Sequence, residues 1–100
     1  MLLSNYTFSV NLSHVLLFEH HLNTVIHPFL KSNKLVSEAK SFKLLTEVHH
    51  DGLTVSLQLF FPSTEEFTSF EQNDQARFFE LLDEKFAGNY VYFQSLLEEF

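Results

Sequence analysis

The chain contains no cysteine and no tryptophan, and only one methionine, two glycines and two prolines in 100 residues. Without thiols there is no disulfide, no thiolate nucleophile and no sulfur ligand for a metal. Nothing calls for an oxidising compartment, so a cytoplasmic location is expected. Two glycines cannot build a phosphate-cradling loop, since Gly52 follows Asp51 at a hairpin and Gly88 follows Ala87 at a helix end. Basic residues are scarce too. Six Lys and Arg against 13 Asp and Glu leave a formal charge of −7, a field that repels nucleic acid and anionic membrane surfaces. Lys31, Lys34, Lys40 and Lys43 form a basic cluster, but the Ser, Asn and Glu38 between them mark a solvated face. No apolar run approaches the ~18 residues of a membrane-spanning helix. Met1 to Leu12 lacks a basic start and alternates in polarity, so it reads as a strand and not as a signal peptide.

What the chain has in quantity is phenylalanine, with 13 copies inside a hydrophobic content of 45%. That is enough to build one domain over residues 1–100. Phe contributes area and no polar atom, so the core is expected to be apolar throughout, with any ligand held at an edge or an interface.

The order of hydrophobic periods then sets the architecture. Tyr6, Phe8, Val10 and Leu12 alternate with Thr7, Ser9 and Asn11, as in a half-covered strand. Ser13 is placed to cap a helix whose stripe runs through Val15, Phe18, Leu22, Val25, Ile26 and Phe29. Pro28 disfavours helical geometry at His27 and predicts a kink there, with the chain leaving the helix by Ser32 and Asn33. Leu35 to Val48 is expected to begin irregularly and to become a strand from about Phe42, ahead of a turn at His50, Asp51 and Gly52. Leu53, Val55, Leu57, Leu59 and Phe61 form the apolar side of a third strand, which should neighbour the first at the sheet centre. Ser63 and Glu66 read as a capping box opening a helix through Phe67, Phe70, Phe78, Leu81 and Leu82, and a last strand covers about Tyr90 to Leu97.

The resulting β-α-β-β-α-β order predicts an α+β ferredoxin-like fold: a four-stranded antiparallel sheet with two helices on one face. The opposite face carries Thr7, Ser9, Asn11, Thr54, Ser56, Gln58 and Phe60, with Tyr92 and Gln94 expected beside them. Small uncharged polar residues next to aromatics suit a moderately wet protein interface, so a homodimer through this face is expected.

Chemical signatures are weak. His14 and His21, like His20 and His27, are seven apart and lie about two turns, roughly 10 Å, from each other along a helix, too far for one metal ion. Projection places His20 and His27 on the solvent side beside Thr24, and His49, His50 and Asp51 fit a polar turn. No metal and no cofactor is expected. Asp74 is the one charge inside the second apolar stripe; it is either a general base raised in pKa by burial or the mark of a bend in the helix. An RNA-recognition role is disfavoured because Leu53 to Phe61 has no Lys, Arg or Gly.

Several runs resemble an uncharacterised bacterial family, domain of unknown function 4286. They are Phe42 to Glu47, Gly52 with Thr54, Gln58 and Phe60, the Phe67 and Phe70 pair, and Phe93-Gln94-Ser95-Leu96-Leu97-Glu98. The resemblance implies a dimeric α+β barrel, in which two sheets pack face to face, and implies no activity. The chain departs from the family pattern at Ile26-His27-Pro28, where His-Ile-Pro is usual, at Gln94, where an Arg is usual, and at Lys34, where a Gly is usual. Two functions are then expected in order: a non-catalytic homodimer binding a small apolar ligand or a protein partner, and a cofactor-independent enzyme resembling monooxygenases or isomerases. Tyr6, Asp74, His27 and Gln58 are the candidate catalytic groups of the second.

Overall fold

The computed structural model describes residues 1–46 and 52–100, so of the turn expected at His50, Asp51 and Gly52 only Gly52 falls among the described residues, and His49 lies outside them as well. Strand β1 (Leu2–Asn11) buries Leu2, Ser4, Tyr6, Phe8 and Val10, leaves Leu3, Asn5, Thr7 and Ser9 half-buried and exposes Asn11. It starts earlier than Tyr6 and stops before Leu12, which is exposed in a single 3-10 turn, Leu12–His14. Ser13 sits inside that turn and bonds the His14 ring (2.8 Å), so it does not cap the helix as expected.

The first helical arm has three parts: α1 (Val15–His21), a π turn (Leu22–Ile26) and α2 (His27–Ser32). Pro28 does not push His27 out of helical geometry, for His27 keeps φ −61 and ψ −43. The irregularity appears instead as the π turn just before it. A π turn adds one residue and sets the following helix back by roughly 100°. That setback keeps Phe18, Leu22, Ile26 and Leu30, each four apart, on one buried line where a regular helix would drift off it.

Strand β2 (Glu38–Lys43) is ordered earlier than the expected start at Phe42. Strand β3 (Gly52–Phe61) buries Val55, Leu57, Leu59 and Phe61. A Cβ on Gly52 would stand 2.0 Å from the Val10 carbonyl oxygen, so close approach to β1 is what demands glycine there. Ser63 accepts from the Glu65 amide and bonds the Glu66 carboxylate, which in turn accepts from the Ser63 amide, completing the capping box. The second helical arm breaks in two at Asp74 (φ −123, ψ −23), giving α3 (Thr64–Asn73) and α4 (Gln75–Phe86). The chain then turns through Ala87 and Gly88 (φ +80), closed by the Asn89 amide on the Phe86 carbonyl, into β4 (Tyr90–Glu98).

The sheet order is β2-β3-β1-β4, all antiparallel, with the helices on one face. This is the ferredoxin-like fold. Pairing corrects the phase of β4: Phe8 faces Tyr92 and Tyr6 faces Gln94, so both lie on the helix side and not on the open face where they were expected. Directly paired residues share a face, which leaves Val91, Phe93, Ser95 and Leu97 on the open side. Between sheet and helices, Phe8, Phe18, Phe61, Phe70, Phe78 and Phe86 are fully buried, and ring pairs such as Phe18 with Phe86 (5.2 Å) fill the layer.

Candidate functional site

The four candidate polar residues fall into three regions, with Tyr6 and Asp74 at the same helix break. Tyr6 is fully buried beneath the break between α3 and α4, where its hydroxyl donates to Gln75 Oε1 at 2.8 Å. Gln94 Nε2 donates to Ser4 Oγ (2.8 Å), and Ser4 in turn donates to the Tyr6 oxygen, so a chain of hydrogen bonds crosses the core from β4 to α4. Burial pushes the Tyr6 phenol up to about 12; the Ser4 bond offsets part of this, and the negative charge of Glu71 adds to it. The group is therefore a neutral hydrogen-bond donor at physiological pH. Ser4, Gln75 and Gln94 were not anticipated as partners of Tyr6, because strand phase and helix break together bring them there. Asp74 adjoins Gln75 at the half-exposed helix break, where its backbone joins the two helices: its amide donates to Phe70 and its carbonyl accepts from Phe78.

Gln58 lies on the opposite face of the sheet. It donates to Ser56 (3.4 Å), Ser56 donates to Asn5 (2.6 Å), and Asn5 donates to Thr7 (3.3 Å). Lys40 on the same face pairs with Glu38 at 3.5 Å and lies 5.9 Å above the Phe60 ring. Around this polar centre Val91, Phe93 and Leu97 are 70%, 62% and 53% exposed, and Phe42 is 50% exposed across the sheet from Phe93.

His27 occupies a third place. The π turn swings it away from the solvent side, where His20 remains, and half-buries it over β2 with Nε2 2.5 Å from Ser41 Oγ. It lines a groove of about 510 Å³ between α2 and β2, floored by Leu30, Val36 and Ala39 and rimmed by Asn23, Lys31 and Glu38. Partial burial lowers the imidazole pKa below its usual value. Since the unfolded chain then binds the proton more readily than the folded one, His27 adds stability above its unfolded pKa of about 6.5. That stability is lost as pH falls toward the lower folded value. Urea denaturation of wild type and His27→Gln from pH 7.5 to 5 is expected to show a steeper decline in the wild type; parallel curves would contradict it.

His21, unlike the other helix histidines, is buried and its Nε2–H donates to the Leu81 carbonyl at 2.7 Å, tying α1 to α4. Its place three residues after Phe18 and beside Leu22 was the available signal. Among the described residues no group of His, Asp and Glu is arranged to hold a metal ion.

The sequence model of one family, Domain of unknown function (DUF4286), matches residues 1–100. The chain belongs to that family. A search of curated proteins finds no match for this DUF4286 chain. Solved structures similar to it include an ethyl tert-butyl ether d (ethd) family protein from Bacillus halodurans, at 9% identity, full coverage of both chains and a TM-score of 0.74. SnoaB, a cofactor-independent oxygenase from Streptomyces nogalater, is similar at 10% identity and a TM-score of 0.67, covering 98% of this chain and 91% of SnoaB. A dimeric ferredoxin-like protein from an uncultured marine organism reaches 16% identity and a TM-score of 0.68, covering 100% of this chain and 98% of that one. At such identities the likeness is one of fold. No helix among the described residues of the DUF4286 chain is long and apolar enough to cross a membrane.

Proposed function

We propose that residues 1–100 form one domain that works in the cytoplasm as a non-catalytic homodimer, its sheets packed face to face, each protomer binding a small, largely apolar molecule in the groove between α2 and β2. The observation that carries the dimer is the character of the open face. It exposes Val91, Phe93 and Leu97, and the charges at its paired strand positions are Glu38 and Lys40, 3.5 Å apart, with Glu99 near the N-terminal ammonium at its edge, whereas the whole chain carries −7. Two copies of such a face meet without net repulsion while the acidic charge stays outside. Likeness to a dimeric ferredoxin-like protein supports the same assembly. Binding is favoured over catalysis because Tyr6, His27 and Gln58 do not converge on one cavity and the layer around Tyr6 is filled with Phe.

A second reading, a cofactor-independent oxygenase, is supported by the likeness to SnoaB and by the buried chain through Ser4, Tyr6 and Gln75. Native mass spectrometry of gently purified protein tests both. A dimer carrying one unchanged organic mass per protomer under air is the expected result, and a mass that gains oxygen favours the second reading. A bare dimer overturns the ligand, and a monomer overturns the assembly.

A further inference from the structure

We infer that the groove between α2 and β2 selects an organic anion, an apolar body of aromatic or alkyl character bearing one carboxylate, with Lys31 as the residue that recognises the charge. The inference rests on the ligand site proposed above and adds the chemistry of its occupant.

The groove's floor is apolar: Leu30 is fully buried, and Val36 and Ala39 are half-buried against the core. Its volume of about 510 Å³ falls in the range of small-molecule sites. The rim decides the charge. Glu38 is paired with Lys40 at 3.5 Å, so its carboxylate is already compensated. His27 is engaged with Ser41. Lys31 pairs with no acid among the described residues, although the chain carries 13 of them. An unpaired ammonium beside an apolar floor, within a strongly acidic protein, complements an apolar anion and disfavours a cation of the same shape. Asn23, on the same rim, supplies an amide donor for a carboxylate oxygen.

The π turn strengthens the case. It interrupts regular helical hydrogen bonding, a feature frequent at functional sites, and it contributes Asn23 to the groove while setting α2 in the rotation that brings both His27 and Lys31 onto its lining. The helix dipole by itself favours a cation in the last turn of α2. Lys34 therefore serves as the control: it lies just past the same helix end but does not line the groove.

The test compares 2-naphthoate with 2-naphthamide, which has nearly the same shape and no charge, in titrations followed by calorimetry, with amide NMR shifts at Leu30, Val36 and Ala39 locating the site. The acid is expected to bind the wild type at least tenfold more tightly than the amide. Lys31→Met is expected to abolish that preference, and Lys34→Met to retain it with an intact amide spectrum. Equal affinity for acid and amide, or equal loss in both variants, overturns the anion inference and leaves the apolar groove standing. Absence of either ligand from the groove overturns the groove as a ligand site altogether.

Discussion

In sedimentation equilibrium, Phe93→Asp is expected to dissociate the proposed homodimer, weakening association by about 10²–10⁴-fold. Phe93 is 62% exposed on the open face of an edge strand, so its loss takes little from the core of one protomer. In a two-fold dimer each copy loses one Phe contact, about 1.5–3 kcal/mol apiece, and gains a carboxylate where a second sheet is to be buried. Leu16→Asp is the matched control. Leu16 is more exposed, at 81%, but it stands on α1, on the far side from the open face. It is expected to leave the dimer intact. Equal dissociation in both variants would point to net charge as the cause, and no dissociation in either would place the interface elsewhere.

Phe78→Ala is expected to cost about 3–5 kcal/mol, lowering the melting temperature by on the order of 20 °C. Phe78 is fully buried, with its ring 5.2 Å from Tyr6 and 4.9 Å from Phe79. The Tyr6 hydroxyl, on the ring packed against Phe78, is already bonded to Gln75. The cavity should therefore stay largely dry and be restabilised by benzene in thermal denaturation. A cost under about 1 kcal/mol would mean that the layer between sheet and helices is loosely filled. A ligand chamber beside Tyr6 would then become the better location for chemistry.

Both effects depend on which side of the sheet a residue takes, and here sequence and structure part company. In β1 and β3 the alternation is strict: Tyr6, Phe8 and Val10 against Thr7 and Ser9, and Val55, Leu57 and Leu59 against Thr54, Ser56 and Gln58. A period of two with a polar partner at each step leaves one phase possible, so the central strands and their pairing were readable in advance. The last strand carries apolar residues on both sides, as Tyr90-Val91-Tyr92-Phe93 and Leu96-Leu97. Its pattern does not distinguish the faces. Only its register against β1, with Tyr6 opposite Gln94, decides that Tyr92 packs in the aromatic layer and Phe93 faces outward.

The candidate residues follow the same division. Asp74 stood out because it interrupts an apolar stripe, and the structure puts a break in the helix there. Its sequence neighbour Gln75 became the partner of Tyr6 because that break aims it into the core, a long-range contact that no local spacing encodes. His27 was projected outward on regular helical geometry, and the π turn moved it into the groove.

Local patterning along the chain dictates the element order, the ferredoxin-like fold, the capping box at Ser63 and Glu66, and the Phe-filled core. Each of these rests on local periods or on contacts within a few residues. Tertiary structure alone decided the phase of β4, the rotation of α2, the burial of His21 and the separation of Tyr6, His27 and Gln58 into different regions. Each of those is settled by packing between elements distant in the chain, where a shift of one residue turns a side chain from one face to the other.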